Sequence, residues 1–379
     1  VVSFSRPGYS FPRETIAMET GMWPDRRLLE RLDIAHPIVQ APMAGASTPE
    51  LVAAVSNAGG LGSLGAAMMQ PDAIRAAIRE IRRQTQRPFA VNLFTYPVPA
   101  PEAEMISRMK QRIAGYVKAL GGDPARLPAM PPLPEMAQQM AVIRDEAPPV
   151  FSFTFGMPSR DDIAALRGKG VYAIGTATTV AEGKALAELG VDAVVAQGSE
   201  AGGHRGTFAG PVEDSLIGTM ALVPMMADAI ALPIIAAGGI MDGRGIAAAF
   251  MLGAAGVALG TAFLACPENS VVSPVYRDTL LGGGLPTVVT RAYTGRHARF
   301  LKNCFVAEMA EAAAEIPSYP HQIPLTAPLR ALAGEMKKPE IMPMLAGQAY
   351  PMIRALPAGE LVQTLVREAA DLFVGAKAS

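Results

Sequence analysis

Cysteine is nearly absent: the 379-residue chain holds two, Cys266 and Cys304. Two thiols make neither a disulfide framework nor a cysteine metal cage, and a reducing cytoplasm is the expected compartment. An excess of one charge is missing too, since 33 Lys and Arg stand against 34 Asp and Glu for a net charge of -1. No Lys/Arg run exceeds a pair, so no nucleic-acid partner is expected. The long apolar stretches 233–240 and 247–265 are broken by glycines and carry turn signals, so no membrane span is expected. Residues 1–23 lack the apolar core of a signal peptide. Residues 1–27 are expected to form a flexible extension ahead of the regular pattern. HExxH, cysteine clusters, Walker A and GxSxG are all missing, which leaves no metal site, no P-loop and no serine-hydrolase elbow.

What is present is apolar and periodic. Half of the chain, 50%, is hydrophobic, enough for a large core, and the 21 methionines read as core filling. Short β-rich runs alternate with alanine-rich helical runs, the rhythm of parallel strands joined by helical crossovers. Eight strands are expected, at 37–42, 61–66, 89–94, 149–155, 171–176, 193–197, 233–238 and 256–260. Most are apolar throughout, as strands covered on both faces should be. Helices are expected at 49–58, 71–86, 161–168, 179–189, 215–230 and 243–253. Eight is the number of strands in a (β/α)₈ TIM barrel; an open doubly wound sheet is the rival, and the last two strand loops favour the barrel. Residues 28–94 and 149–299 would form it. Residues 95–148, with helical patterns at 101–120 and 134–146, and residues 300–379 would form a smaller, mainly helical second domain over the mouth.

Three motifs carry chemistry. AAGGI (236–240) and ALGTAF (258–263) end the last two strands, where barrels often hold a phosphate. Gly238, Gly239, Gly260 and Thr261 let the backbone approach an anion and point N–H groups at it, with a helix start near Asp242 behind them. AQGSEAGGHRG (196–206) ends strand six; its glycines read as a specialised loop, neither helix nor strand. His204 lies inside that loop, where a side chain suited to proton transfer is useful. APMAGASTPEL (41–51) follows strand one and offers main-chain groups to a planar ring. Asn92 is a polar residue in an apolar strand and is expected at the mouth.

Together these strings resemble the bacterial class I nitronate monooxygenases, formerly the 2-nitropropane dioxygenases. The resemblance also rests on residues 36–67, VNLF (91–94), FSFTFGMP (151–158) and LAGQAYPMIRALPAGELV (345–362). It implies a TIM barrel with non-covalent FMN. By resemblance, Asn92, Gln197, Gly202, Gly203, Gly239, Ala258, Leu259, Gly260 and Thr261 fall where the family binds FMN. Ala41, Pro42 and Met43 fall beside the flavin, and His204 matches the catalytic histidine. The implied reaction uses O₂ to oxidise an alkyl nitronate, or a nitroalkane, to a carbonyl compound and nitrite. Three positions depart from the pattern. Thr154 replaces a histidine in the fourth strand. Near the substrate side Tyr319 is kept, while Ile323 and Ala327 stand where a second tyrosine and a lysine occur. Two other functions stay open: an NAD(P)H-dependent flavin reductase acting on an enoyl thioester or quinone, and a flavin-binding module without turnover.

Overall fold

Each of the eight expected apolar runs forms a strand of one parallel sheet. The computed structural model describes residues 21–125 and 132–377. In chain order the strands are β1 (Ile38–Gln40), β2 (Gly62–Gly65), β3 (Phe89–Phe94), β4 (Val150–Thr154), β5 (Tyr172–Ala177), β6 (Ala193–Gln197), β7 (Gly203–His204), β8 (Ile234–Ala237), β9 (Gly256–Leu259), β10 (Thr287–Thr290) and β11 (Ala298–Leu301). The parallel sheet runs β1-β9-β8-β6-β5-β4-β3-β2. A parallel bridge between Val39 and Leu61 then brings β1 beside β2, with Leu61 N–H donating to the Ile38 carbonyl at 2.9 Å. The ring closes as a TIM barrel. Strands such as β4 and β8 are buried along their whole length, which is why they read as unbroken apolar runs.

The helices are α1 (Arg27–Leu32), α2 (Pro49–Asn57), α3 (Pro71–Gln84), α4 (Ala103–Ala119), α5 (Met136–Glu146), α6 (Arg160–Gly168), α7 (Val180–Leu189), α8 (Thr219–Ala229), α9 (Gly243–Met251), α10 (Pro274–Gly282), α11 (Cys304–Glu311), α12 (Gln322–Glu335) and α13 (Ala358–Lys377). Local chemistry sets their ends. Thr48 accepts the Leu51 N–H at 3.1 Å with Pro49 behind it, an N-cap that satisfies an orphan amide. Gly190 ends α7 at φ 95°. The helix expected from 215 starts at Thr219, because Glu213–Ser215 forms a separate 3₁₀ turn.

The glycine-rich run after β6 is not wholly loop. Gly203–His204 forms β7, which pairs with Arg299 and Ala298 of β11, and β11 pairs in turn with β10. Gly203 adopts φ +80°, a left-handed value that lets the chain turn out of the barrel before it pairs. The expected boundary at 299/300 therefore falls inside β11.

A second apolar core lies apart from the barrel core. It joins Met109, Ile113 and Val117 of α4 to Phe300, Phe305 and Leu329. Two helices of the expected second domain pack elsewhere. The nearly buried carboxylate of Glu146, at the end of α5, pairs with Arg75 and Arg82 of α3 at 2.9 and 2.7 Å. Glu368 of α13 accepts the first amide of α9, Gly243 N–H, at 2.9 Å, and a side chain at Gly243 would meet the α13 backbone at 2.4 Å. We propose that α5 and α13 belong to the barrel's outer ring, and that the mouth layer consists of residues 95–125 with 284–345.

Of the expected extension, residues 1–20 lie outside the described residues. Trp23 is buried at 2% exposure, with its ring on Phe250 and Phe373 at 5.4 and 6.0 Å. It also covers His36 edge-on. The fixed chain therefore begins before the expected residue 28.

Burial pushes His36 from 6.5 down to about 4, so the fold favours its neutral form. Its contribution to stability is complete above about pH 6.5 and is lost as pH falls toward 4. A shift of that size corresponds to about 3 kcal/mol. Chemical unfolding at several pH values should show stability dropping from pH 7 to 4, with a shallower drop in His36→Gln. Parallel slopes in the two proteins would refute this role for His36.

Candidate active site

The ends of the barrel strands surround a cavity of about 580 Å³, roofed by the mouth layer. Every residue expected to touch cofactor or substrate lines it, from Ala41, Pro42 and Met43 through Asn92 and Gln197 to Tyr319. Thr154 and Ile323 line it as well.

One end of the cavity is made of backbone. Gly238 and Gly239, after β8, have φ +118° and +72°, values that favour glycine. Gly260 and Thr261 follow β9. None of these four amides donates to a protein acceptor among the described residues. The helix start behind them is already satisfied: Asp242 accepts the Arg244 and Gly245 amides at 3.0 and 3.2 Å. The free donors are therefore the loop amides, not the α9 terminus. A side chain at Gly260 would touch Ala41 Cβ at 3.6 Å and Met43 Sδ at 3.8 Å, so the first strand's loop packs closely beside its backbone. Thr261 Oγ1 accepts Gly347 N–H at 3.0 Å, which ties the roof to this end. Gly202 has a different task. A side chain there would meet the Gly347 backbone at 2.5 Å, so it allows the roof to approach.

The other end is aromatic. His204 has its ring 5.5 Å from Phe155, 5.9 Å from Tyr319 and 6.2 Å from Phe94. Tyr96 stacks edge-on against Tyr319 at 4.7 Å. The Arg296 guanidinium lies 3.9 Å over the Phe155 ring, a cation–π contact. His204 Nε2 is 2.9 Å from Thr294 Oγ1. Gln197 fixes the main chain around it: its Nε2 donates to the His204 carbonyl at 3.0 Å and its Oε1 accepts Gly206 N–H at 2.8 Å.

This surround sets the charge states. Burial, with the Arg296 charge adding to it, pushes His204 down to about 3. Part of the His204 side chain still faces the cavity. The imidazole is neutral at neutral pH. Burial also holds the Tyr319 hydroxyl well above its ordinary value, with Tyr96 adding to the rise. Arg296 is pushed down to about 10 by burial and keeps its charge.

A family model for nitronate monooxygenase matches residues 25–368. The chain belongs to the nitronate monooxygenase family. It is 39% identical over 349 residues to a probable nitronate monooxygenase of Staphylococcus aureus, covering 92% of this chain and 98% of the relative. Among solved structures it resembles nitroalkane oxidase from Streptomyces ansochromogenes, with 39% identity, TM-score 0.85, and coverage of 92% and 99%. FabK from Thermotoga maritima is similar at 31% identity and TM-score 0.71, with 93% and 98% covered. A nitronate monooxygenase is an oxidoreductase, and this cavity lies at the strand ends where barrel enzymes place their chemistry.

Several residues of the site are not signalled by motif. Phe155 has φ +80°, and a side chain at the following Gly156 would meet the Thr95 carbonyl at 2.0 Å. Those two facts bring β3 and β4 ends together under the aromatic cluster. Thr294, Arg296 and Arg330 come from distant segments. Arg330 is the sole Lys, Arg, Asp or Glu among the described lining residues. Ser63 Oγ is buried on the cavity wall without a partner. Thr154 Oγ1, on the cavity wall, lies 3.3 Å from Thr176 Oγ1.

Proposed function

We infer that this enzyme holds FMN in the cavity and oxidises alkyl nitronates with O₂ to a carbonyl compound and nitrite. The observation that carries the reading is the pairing of an acceptor-free amide cradle with a neutral histidine across one cavity. The amides of Gly238, Gly239, Gly260 and Thr261 suit a terminal phosphate, since each unpaired donor gains a charge-assisted bond. Ala41, Pro42 and Met43 on one side and Asn92 on the barrel floor would border the ring system. When bound, the flavin supplies an electron acceptor for the organic substrate and an electron donor for O₂.

The chain's own residues do the rest. Phe155, Tyr319 and Phe94 exclude water around His204. The neutral imidazole can take a carbon-bound proton from a nitroalkane. The two charges formed, imidazolium and nitronate, stabilise each other in a poorly hydrated space. A nitronate has already lost that proton, and for it the Arg296 charge nearby provides electrostatic balance while the neutral His204 supplies a polar contact.

Two substitutions test the reading. Gly239→Asp places a carboxylate in the cradle: a Cβ there meets Glu200 at 3.5 Å, an ordinary contact, and Asp is among the few residues that tolerate the left-handed φ of +72°. The protein should fold and bind FMN about 100-fold more weakly, a loss of about 2.7 kcal/mol. Unchanged FMN affinity by fluorescence titration would refute the phosphate assignment. His204→Asn keeps a polar group and removes the proton acceptor. It should lower kcat/KM for neutral nitroalkanes by about 10²–10⁴-fold, with a much smaller loss on pre-ionised nitronates. An equal loss on both forms would contradict the role as a base.

A further inference from the structure

The hydrogen bonds around Thr294 determine which nitrogen of His204 is available. Thr294 Oγ1 lies 3.2 Å from the Arg296 carbonyl, to which its hydroxyl donates. A hydroxyl has one proton. When that proton goes to the Arg296 carbonyl, Thr294 Oγ1 accepts at the 2.9 Å contact with His204 Nε2, and Nε2 carries the ring proton. Nδ1 is left with a lone pair and no protein partner among the described residues.

Thr294 itself has little freedom. Its own N–H donates to the Arg291 carbonyl at 3.2 Å, and the Gly295 N–H does so at 2.8 Å. Arg291 Nε returns a bond to the Gly295 carbonyl at 3.0 Å. Thr326 of α12 holds the Tyr293 carbonyl at 2.7 Å. Gly295 has φ +82° and comes so close to the Pro317 carbonyl that a side chain would lie 2.3 Å from it. The turn 291–295 is thus braced against the segment that delivers Tyr319. His204 is braced from the other side by β11 and Gln197.

We propose that Thr294 is a positioning residue that fixes His204 in the Nε2–H tautomer and makes Nδ1 the atom that exchanges the substrate proton. The proposal deepens the proposed role of His204 and rests on it for its kinetic consequence; the tautomer itself does not depend on that role. A wrong tautomer presents an N–H where a lone pair is needed, which blocks proton abstraction without displacing the ring.

The test uses the flavin-loaded enzyme, with ring nitrogens labelled by ¹⁵N-histidine, in wild type, Thr294→Val and Thr294→Ser. Wild type should show one neutral His204 tautomer, protonated at Nε2. Thr294→Val has nearly the same shape and no hydroxyl. It should show a mixture of tautomers and about a tenfold lower kcat/KM on neutral nitroalkanes, with kcat/KM on nitronates within about threefold. Thr294→Ser should restore both the single tautomer and the rate. An Nδ1–H tautomer in wild type would overturn the proposal, as would an unchanged tautomer in Thr294→Val. Failure of Ser to rescue would also overturn it, by pointing to the methyl group's packing. If the tautomer responds as expected while nitroalkane turnover does not depend on His204, the positioning stands and the base reading falls.

Discussion

The site depends on keeping a buried, glycine-rich turn in one shape, and arginine-to-carbonyl hydrogen bonds do this. Arg205 is 1% exposed, yet makes no ion pair; it donates to the carbonyls of Gly198, Gln197 and Ser215 at 2.7, 3.1 and 2.7 Å. Arg299 grips the Ser199 carbonyl at 2.6 Å, and Arg296 grips that of Thr207. A buried guanidinium is tolerable only when its donors are satisfied. Here backbone carbonyls take up both terminal nitrogens of Arg205 and leave its Nε without a partner among the described residues, so the turn and the charge largely hold each other. The carboxylates nearby are occupied as well: Glu200 binds the Thr219 amide at the start of α8, and Glu182 binds the amides of Phe208 and Ala209.

This arrangement explains how one short segment can serve two ends of a cavity. Gly202 lets the roof come down onto the barrel near the free amides. Two residues later, His204 has crossed to the aromatic end and is locked by β11. The amide end presents unpaired backbone N–H groups, and the nearby Glu200 carboxylate is turned away to the Thr219 amide. The aromatic end depresses the basicity of His204 and keeps it neutral.

The barrel was legible because its strands are buried on both faces and its helices announce their caps. Thr48, Pro49 and Gly190 act as their types suggest. The glycine turns at the cavity's amide end were legible too, since two consecutive final strands of the barrel ended in glycine. What was hidden depends on long-range closure. β7 spans two residues and carries no periodicity. It exists because Ala298 and Arg299 arrive some ninety residues later to pair with it. Thr294, Arg296 and Tyr96 have no local pattern that marks them; they matter because folding brings two distant segments to one histidine's surroundings. The helices α5 and α13 looked like parts of a lid because sequence order separates them from the barrel, while Glu146 and Glu368 tie them to its ring.

The central claim is that the cavity oxidises nitronates directly. Anaerobic stopped-flow mixing of the flavin-loaded protein with an alkyl nitronate measures this step without any second substrate. The flavin absorbance should fall within the turnover time, and admitting O₂ should restore it with release of nitrite and carbonyl product. An absorbance unchanged by nitronate but rapidly lost with NADH would contradict the account and indicate a reductase.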